Sequence, residues 1–287
     1  MYSRDDTVNA ILRFYQQVIR HPYLNDSTLV LPPPGGWRSV NIQGKNNTVL
    51  DLLHHLPYLR PGKPYERLLI YWETVPICYT DEYVYPELYP LPAQCVYLAC
   101  SVDREGTSLI LDTDKGTITE FCHTGTYITM PEEEYEALPE EEKWKAHRTS
   151  PIRRFLDVWT QRYEKLVWML IPNPIGQPTT GRFYSRADTS AELDVLTLEE
   201  QSKPWHLKDD VDHPDFEYEL DRAQYEWYKS IRKHVADVYD TYLRHGWPDH
   251  FDKDRCRSEL LQLEELHDAE EKQKLDKMNP DAADLSD

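Results

Sequence analysis

The residues best suited to chemistry in this chain are cysteines, histidines and carboxylates that occur in pairs or short clusters. Cys122-His123 has the residue types of a nucleophile and its base, and Cys95 and Cys100 are two thiols five positions apart. Both sets lie in segments typical of strands, where side chains an odd number of positions apart point to opposite faces. We therefore expect structural cysteines, since a free cysteine packs as a small apolar residue.

The histidines also lack the spacing of a metal site. His54 and His55 are adjacent on a predicted helix, whereas a zinc pair on a helix needs a separation of three or four. The segment 245–254 gathers imidazoles and carboxylates, but it lacks the central Gly and the terminal Glu of a calcium loop. Asp252 is placed to cap the helix that follows. We therefore favour turn and capping roles for the residues of 245–254. The carboxylates of 209–215 are expected only to keep a loop soluble. The sequence predicts no metal site.

No nucleotide-binding, nucleophile-elbow or zinc-protease motif occurs in the chain, which contains only 10 Gly. The sequence therefore predicts no cofactor and assigns no catalytic residue. An enzyme of this kind would need an acid–base pair in a closed pocket. The side chains that could supply such a pair are Glu73, Asp112 and His123.

Aromatic side chains form the strongest candidate binding surface. Tyr and Trp give rigid contact area, and a proline-rich loop loses little entropy when it becomes ordered. The candidate binding residues, with prolines interspersed among the tyrosines, are Trp37, Trp72, Tyr79, Tyr83, Tyr85 and Tyr89. The alternative is a Tyr/Pro loop that packs over the edge of a sheet.

Strands must position most of these residues. A buried strand is predicted at 68–72, and a three-strand meander at 95–102, 108–113 and 117–122. The two meander links, Asp103-Arg104-Glu105-Gly106 and Asp114-Lys115-Gly116, place Gly where a short hairpin loop needs a positive φ.

Helices are predicted around this meander from apolar spacing and from start and stop signals. The first spans 6–20 with Asp6 or Thr7 as its cap, and the second begins at Thr48. Further helices are predicted in two pieces within 131–148, from a Ser150-Pro151 start through Leu170, at 221–244 and at 252–277. The stripes of the last two are Tyr228, Ile231, Val235, Val238 and Tyr242, and then Cys256, Leu260, Leu263 and Leu266.

Clustered strands followed by helices predict an α+β fold, with an antiparallel sheet flanked by helices. We expect a core at 1–175 and an acidic helical extension at 176–287 that packs on it. Within the extension, 176–220 is expected to be a wrapping loop and 279–287 a frayed end. Of the formal net charge of −19, the extension carries −13, from 15 basic and 28 acidic residues.

The core resembles the SUKH superfamily, which includes a fungal regulator of cell-wall synthesis and bacterial toxin-immunity proteins. The resemblance lies in four segments, Ile11-Leu12-Arg13-Phe14-Tyr15, Leu29-Val30-Leu31-Pro32-Pro33, the meander residues 109–118 and the helix start 150–156. It covers about residues 1–170. The chain also looks like a group of fungal proteins that share the segments around Gly36-Trp37 and 111–118. The superfamily resemblance implies a non-catalytic protein-binding module.

Charge and composition limit the partners. A net charge of −19 repels the phosphate backbone of nucleic acids, and no apolar stretch is long enough to span a membrane. Five cysteines without framework spacing and no apolar leader predict a cytoplasmic or nuclear protein. We expect an intracellular protein-interaction or regulatory module, or alternatively a small-molecule enzyme or accessory protein of a biosynthetic pathway. Self-pairing through the helical tail is a third, weaker hypothesis.

Overall fold

The computed structural model describes residues 2–62, 66–81, 89–175, 181–186 and 219–278. Its helices are α1 (Arg4–Arg20), α2 (Asn47–His55), α3 (Glu132–Glu136), α4 (Ile152–Glu164), α5 (Glu219–Arg244) and α6 (Lys253–Met278). Its strands are β1 (Leu29–Val30), β2 (Tyr58–Leu59), β3 (Thr74–Pro76), β4 (Cys95–Ser101), β5 (Thr107–Asp112), β6 (Thr117–Cys122), β7 (Thr149–Pro151), β8 (Trp168–Pro172) and β9 (Gly181–Ser185). Asp26–Thr28 and Glu140–Ala146 form 3-10 turns.

An antiparallel sheet of five strands, in the order β3-β4-β5-β6-β7, forms the centre of the fold. Asp112 pairs with Cys95 on one side and with Thr117 on the other, which confirms the predicted meander. Gly116 has a φ of 67°, the left-handed conformation that its hairpin turn requires, whereas Gly106 of the other link has no positive φ and the expectation is wrong there. The expected α+β class is therefore confirmed.

The strand expected at 68–72 is wrong. Residues 68–71 are buried, but Tyr71 forms only an isolated bridge with Thr74. The chain reverses at Trp72 and Glu73, where Glu73 adopts a φ of 44° and the Ile70 N–H donates to the Thr74 carbonyl at 2.9 Å. Strand β3 begins only after this turn, so the apolar run supplies core contacts without joining the sheet.

The helix expected from Ser150 through Leu170 is also wrong at both ends. Residues 149–151 form β7, and α4 begins at Ile152 with no side-chain cap. Leu166, with a φ of 52°, ends the helical path, and Trp168 then pairs with Ser185 of β9. The apolar run continues because β8 is buried on both faces. A strand of this kind shows no alternation of apolar and polar residues, so its sequence cannot be distinguished from that of a buried helix.

Strand β8 separates two apolar clusters. Trp168 and Leu170 belong to the main core under the central sheet, whereas Met169 and Ile171 belong to a second core formed with α5 and α6. Because successive strand side chains point to opposite faces, five residues link the two cores. Its partner β9 lies where a wrapping loop was expected, and that expectation is wrong for residues 181–185.

The helices that cover the sheet begin slightly earlier than predicted. Ser3, and not Asp6 or Thr7, caps α1, since its hydroxyl accepts the Asp6 N–H at 3.3 Å. Asn46 caps α2 in the same way through the N–H of Val49 at 2.9 Å. Both corrections have one reason: a cap must stand outside the helix and accept an N–H from its first turn.

Helices α5 and α6 are confirmed near their expected positions, and the turn between them lets them pack side by side. Val235, Val238, Tyr242, Cys256 and Leu260 are buried in the second core. Two predicted stripe residues are not in it, because Tyr228 is 52% and Leu266 65% exposed. Asp252 caps α6 through the Arg255 N–H, as expected. None of the described helices combines the length and apolarity needed to cross a membrane.

Candidate functional site

A cavity of about 670 Å³ lies where β9, α5 and α6 face the turn at Tyr71-Trp72 and the end of β6. Its described walls include five aromatic rings, the aliphatic side chains of α5, and a polar side with two imidazoles. The lining residues are Tyr71, Trp72, Glu105, Cys122, Thr124, Thr126, Tyr127, Phe183, Tyr184, Ser185, Ile231, His234, Val235 and His267. A cavity of this size and composition fits a small organic molecule, since such sites span roughly 300–1,000 Å³.

The aromatic walls stand nearly at right angles to each other. The Phe183 ring meets Tyr71 at 5.0 Å and 71°, and Trp72 at 6.4 Å and 77°. Strand register places Phe183 opposite Leu170, so β9 directs one side chain to this wall and the next, Tyr184, toward α5 and α6. Tyr71 and Phe183 are nearly buried, whereas Trp72 is 42% exposed and forms the rim.

His234 of α5 and Glu264 of α6 form a buried acid–base pair at the polar side. The His234 Nε2 lies 2.5 Å from Glu264 Oε1, and the Glu264 side chain is fully buried. The second carboxylate oxygen, Oε2, accepts bonds from Arg182 Nη1 at 2.7 Å and from Tyr184 Oη at 3.0 Å. These donors satisfy a carboxylate that would otherwise be costly to bury.

The other nitrogen of His234, Nδ1, has no hydrogen-bond partner among the described residues and belongs to a side chain that lines the cavity. A carboxylate on Nε2 favours the tautomer with its proton there. Nδ1 then holds the lone pair of a ring that lines the cavity. This arrangement can accept a proton from a bound molecule and return it, while Glu264 stabilises the imidazolium that forms.

His267 lies one helical turn after Glu264 and stacks on His234. The two ring centroids are 3.8 Å apart and the planes differ by 12°. Burial, and then the charge of His234, lowers the pKa of His267. Arg182 also binds both oxygens of Asp268, at 2.7 and 2.8 Å, and this contact lowers the pKa of that carboxyl. The stacked pair is thus held by a network that ties β9 to α6.

A second polar network supports the aromatic wall from behind. The hydroxyls of Tyr71 and Tyr127 are 3.1 Å apart, and the Arg148 guanidinium lies 4.5 Å from the centre of the Tyr127 ring. Arg148 binds both oxygens of Glu120 at 2.6 and 2.9 Å. Burial raises the pKa of Glu120 even though Arg148 opposes that shift. These contacts fix the orientation of the Tyr71 and Tyr127 rings.

The six predicted binding residues do not share one surface. Trp72 lines the cavity, whereas the Trp37 indole donates to the Leu56 carbonyl at 2.8 Å. Tyr79 is buried, with its hydroxyl on the Tyr97 carbonyl at 2.7 Å. Tyr89 packs edge-on against Phe121 and donates its N–H to the Tyr97 hydroxyl. Tyr83 and Tyr85 lie outside the described residues.

The side chains expected for acid–base chemistry are apart as well. Asp112 Oδ1 accepts the N–H groups of Asp114 and Lys115 at 3.0 Å each, so it shapes a hairpin turn. His123 packs against the Phe121 ring at 5.1 Å. Glu73 sits in the tight turn beside the cavity, and nothing in the described structure pairs it with either.

The cysteines behave as structural residues. All five are free, and only Cys100 is not fully buried. Burial raises the pKa of Cys95, Cys100 and Cys256 to about 12, which keeps these thiols protonated near neutral pH. Cys122 lines the cavity with its sulfur 3.0 Å from the Thr124 hydroxyl. In the described part of the chain, no three His, Cys, Asp or Glu side chains are placed to hold a metal ion.

Sequence reasoning missed the His234–Glu264–His267 cluster. One signal was present: Glu264 and His267 are three apart on one predicted helix face. Helices joined by a short turn run antiparallel, so residues equally distant from the turn at 245–252 become neighbours. His234 and Glu264 satisfy that condition, and neither belongs to the predicted apolar stripe of its helix.

Comparisons with protein-family models, with curated proteins and with solved structures found no match. The SUKH resemblance of residues 1–170 therefore stays a prediction. The domain boundary at 175 also stays a prediction, and residues 187–218 and 279–287 lie outside the described structure.

Proposed function

We propose that this protein is a small-molecule enzyme that acts by side-chain acid–base chemistry in the cavity. His234 is the acid–base residue, and Glu264 is its positioning residue. The single observation that carries the proposal is the imidazole at the cavity wall, with Nε2 on a fully buried carboxylate and with no partner for Nδ1 in the described part of the chain.

Three contacts support a role beyond stability. Glu264 is held by Arg182 and Tyr184, and the Tyr184 ring also meets His234 edge-on at 5.2 Å. The imidazole is therefore fixed in both position and tautomer before any ligand arrives. Preorganisation of this kind lowers the cost of proton transfer, since no group must reorient at the moment of reaction.

The proposal is tested by metabolite profiling with the full chain. A small-molecule extract of the native source is incubated with the wild type, His234→Gln, Glu264→Gln, or the control His55→Gln. His55 is a partly exposed histidine of α2 whose Nδ1 bonds the Asp51 backbone, outside the cavity. We expect compounds that change with the wild type and with His55→Gln, and that stay constant with His234→Gln.

Glu264→Gln should retain a reduced rate, since glutamine keeps an acceptor for Nε2 but loses the negative charge. Folding of every variant is checked by near-ultraviolet circular dichroism. An extract that the wild type leaves unchanged, or one that His234→Gln converts as fast as the wild type, contradicts the proposal.

The protein-interaction module is the second candidate, and exposed aromatics on α5 favour it. Trp227 and Tyr228 are 49% and 52% exposed, and their rings contact each other at 5.0 Å. Large aromatic side chains of this kind are common at binding hot spots. Five free cysteines favour a reducing compartment, so we propose a cytoplasmic or nuclear location for either function.

The interaction candidate is tested by affinity capture from the native source. A specific partner should be retained by the wild type and by the control Leu31→Ala, which changes a 57% exposed leucine far along the chain. The double variant Trp227→Ala/Tyr228→Ala should lose it. Equal capture by all three proteins means that the α5 aromatics are not the binding surface.

A further inference from the structure

The described residues that line the cavity carry formal charge of one sign; two cations, Arg148 on the Tyr127 ring and Arg162 near Tyr71, lie outside that lining, and Glu120 offsets Arg148. Among the described lining residues there is no Lys and no Arg, and Glu105 contributes a carboxylate. Behind the imidazoles, Arg182 faces two carboxylates, Glu264 and Asp268, which leaves that cluster with one negative charge in excess. The chain as a whole carries −19. A permanent anion entering this cavity would add to charge of its own sign.

Carboxylates also lie near the rim of the cavity, which Trp72 forms. Glu73 sits in the turn next to Trp72, and its Oε2 is buried with no hydrogen-bond partner among the residues that the structure describes. Burial, and then the charges of Asp103 and Glu105, raise the pKa of Glu73. The charges of Asp103 and Glu105 therefore disfavour the ionised form of Glu73, and a positive group placed between the rim and the cavity would relieve that repulsion.

The aromatic walls favour the same kind of ligand. The faces of electron-rich rings attract a cation within about 6 Å of the ring centre, most strongly for Trp and Tyr. Tyr71 and Trp72 stand at 71° and 77° to the Phe183 ring, and all three line the cavity, so a single bound group can contact more than one ring. Perpendicular aromatic walls with a nearby carboxylate suit an ammonium group that carries alkyl substituents.

We infer that the cavity takes an organic cation, a protonated or quaternary amine of small-molecule size. This inference rests on the proposed function and names its substrate class. It is also consistent with the acid–base pair. When a cationic substrate gives a proton to His234 Nδ1, one positive charge moves from the ligand to the imidazole, and no charge is created or lost. Glu264, already 2.5 Å from Nε2, stabilises the charge at its new position.

The test compares two probes of nearly equal shape. Choline carries a trimethylammonium group, and dimethylbutanol has carbon in place of the ammonium nitrogen and no charge. Binding to the full-length protein is measured by ligand-observed NMR titration. We expect choline to bind about tenfold more tightly than dimethylbutanol, a ratio that corresponds to about 1.4 kcal/mol.

Matched variants locate the binding. Trp72→Leu removes a ring face at the rim but keeps an apolar side chain, and Glu105→Gln removes a charge while keeping the shape. Both substitutions should lower the affinity for choline several-fold and change the affinity for dimethylbutanol by less than twofold. Leu31→Ala changes an exposed leucine that does not line the cavity, and it should change neither affinity.

The outcomes separate the two proposals. If dimethylbutanol binds as tightly as choline, or if choline does not bind, the cation inference is overturned, while the metabolite profile of His234→Gln still decides the enzyme proposal. If choline binds as expected but His234→Gln converts the extract as the wild type does, the site takes cations without the proposed chemistry.

Discussion

His21, the residue that ends α1, is a buried imidazole at the junction of the two cores. Its Nδ1 lies 2.8 Å from the Tyr242 hydroxyl and 3.4 Å from the Leu170 N–H, and its ring meets Trp247 at 4.9 Å. The side chain is fully buried. Burial, and then the positive charge of Arg20, lowers the pKa of His21 from 6.5 to about 3. We therefore predict that acid weakens the fold through this one residue.

The sign follows from proton binding. Below pH 6.5 the unfolded chain binds a proton at His21, whereas the folded chain does so only near pH 3. The stabilising contribution is thus complete above pH 6.5 and is lost as the pH falls toward 3. Each unit within this window costs about 1.4 kcal/mol of unfolding free energy. The loss is about 2 kcal/mol at about pH 5, and it approaches about 5 kcal/mol at the lower limit.

The assay is urea denaturation followed by tryptophan fluorescence at a series of pH values. Other groups also titrate in this range, so the measured quantity is the difference between the wild type and His21→Asn. Asparagine keeps an acceptor near the Nδ1 position and does not titrate. The variant should be less stable near neutrality, because its ring contacts are lost, but its free energy of unfolding should fall less steeply with acid.

Tyr163→Phe is the matched control. It removes the bond from the Tyr163 hydroxyl to the Ile70 carbonyl, which lowers stability without removing a group that titrates in this window. Its pH dependence should parallel that of the wild type. Parallel curves for the wild type and His21→Asn would refute the reasoning, because they would mean that the unfolded and folded chains bind protons equally at this position.

Three further predictions concern the free energy of unfolding and use the same denaturation assay at neutral pH. Leu260→Ala, at a fully buried position of α6, should lower the free energy of unfolding by about 2–5 kcal/mol. Leu266→Ala changes a side chain that is 65% exposed on the same helix and should alter this free energy by no more than about 0.5 kcal/mol. Equal losses would contradict the existence of the second core. Glu120→Gln leaves the guanidinium of Arg148 without its buried carboxylate and should cost about 3 kcal/mol, and a neutral result would mean that water replaces the pair. Trp37→Phe removes one hydrogen bond, to Leu56, and should cost about 1 kcal/mol with choline binding unchanged; weaker choline binding would place Trp37 in the ligand site.

Local signals in the sequence were sufficient for the central sheet. The meander follows from β-rich runs separated by Asp/Gly turns, and these signals act within a few residues of each other. They failed at residues 166–172 because a strand buried on both faces shows no alternation. Only the presence of β9 and α5 on its far side makes Trp168–Pro172 a strand, and that information lies outside the local run.

For the candidate site, the sequence supplied one member of the aromatic wall, Trp72, and none of the imidazoles. His234 and Glu264 are 30 positions apart and meet because α5 and α6 pack side by side. The only local signal is the spacing of three between Glu264 and His267, and nothing near His234 in the sequence marks it as functional.

By itself, then, the sequence determined the α+β class, the meander, the approximate positions of the helices and the acidic character of the C-terminal part. Periodicity, capping and turn preferences act over short distances along the chain. The tertiary structure decided which polar groups are buried together, because burial and tautomer depend on what packs from the other side. Nothing in the sequence distinguishes His234 from an exposed helical histidine. It becomes a fixed acid–base group only because it contacts Glu264, which Arg182 and Tyr184 hold in place.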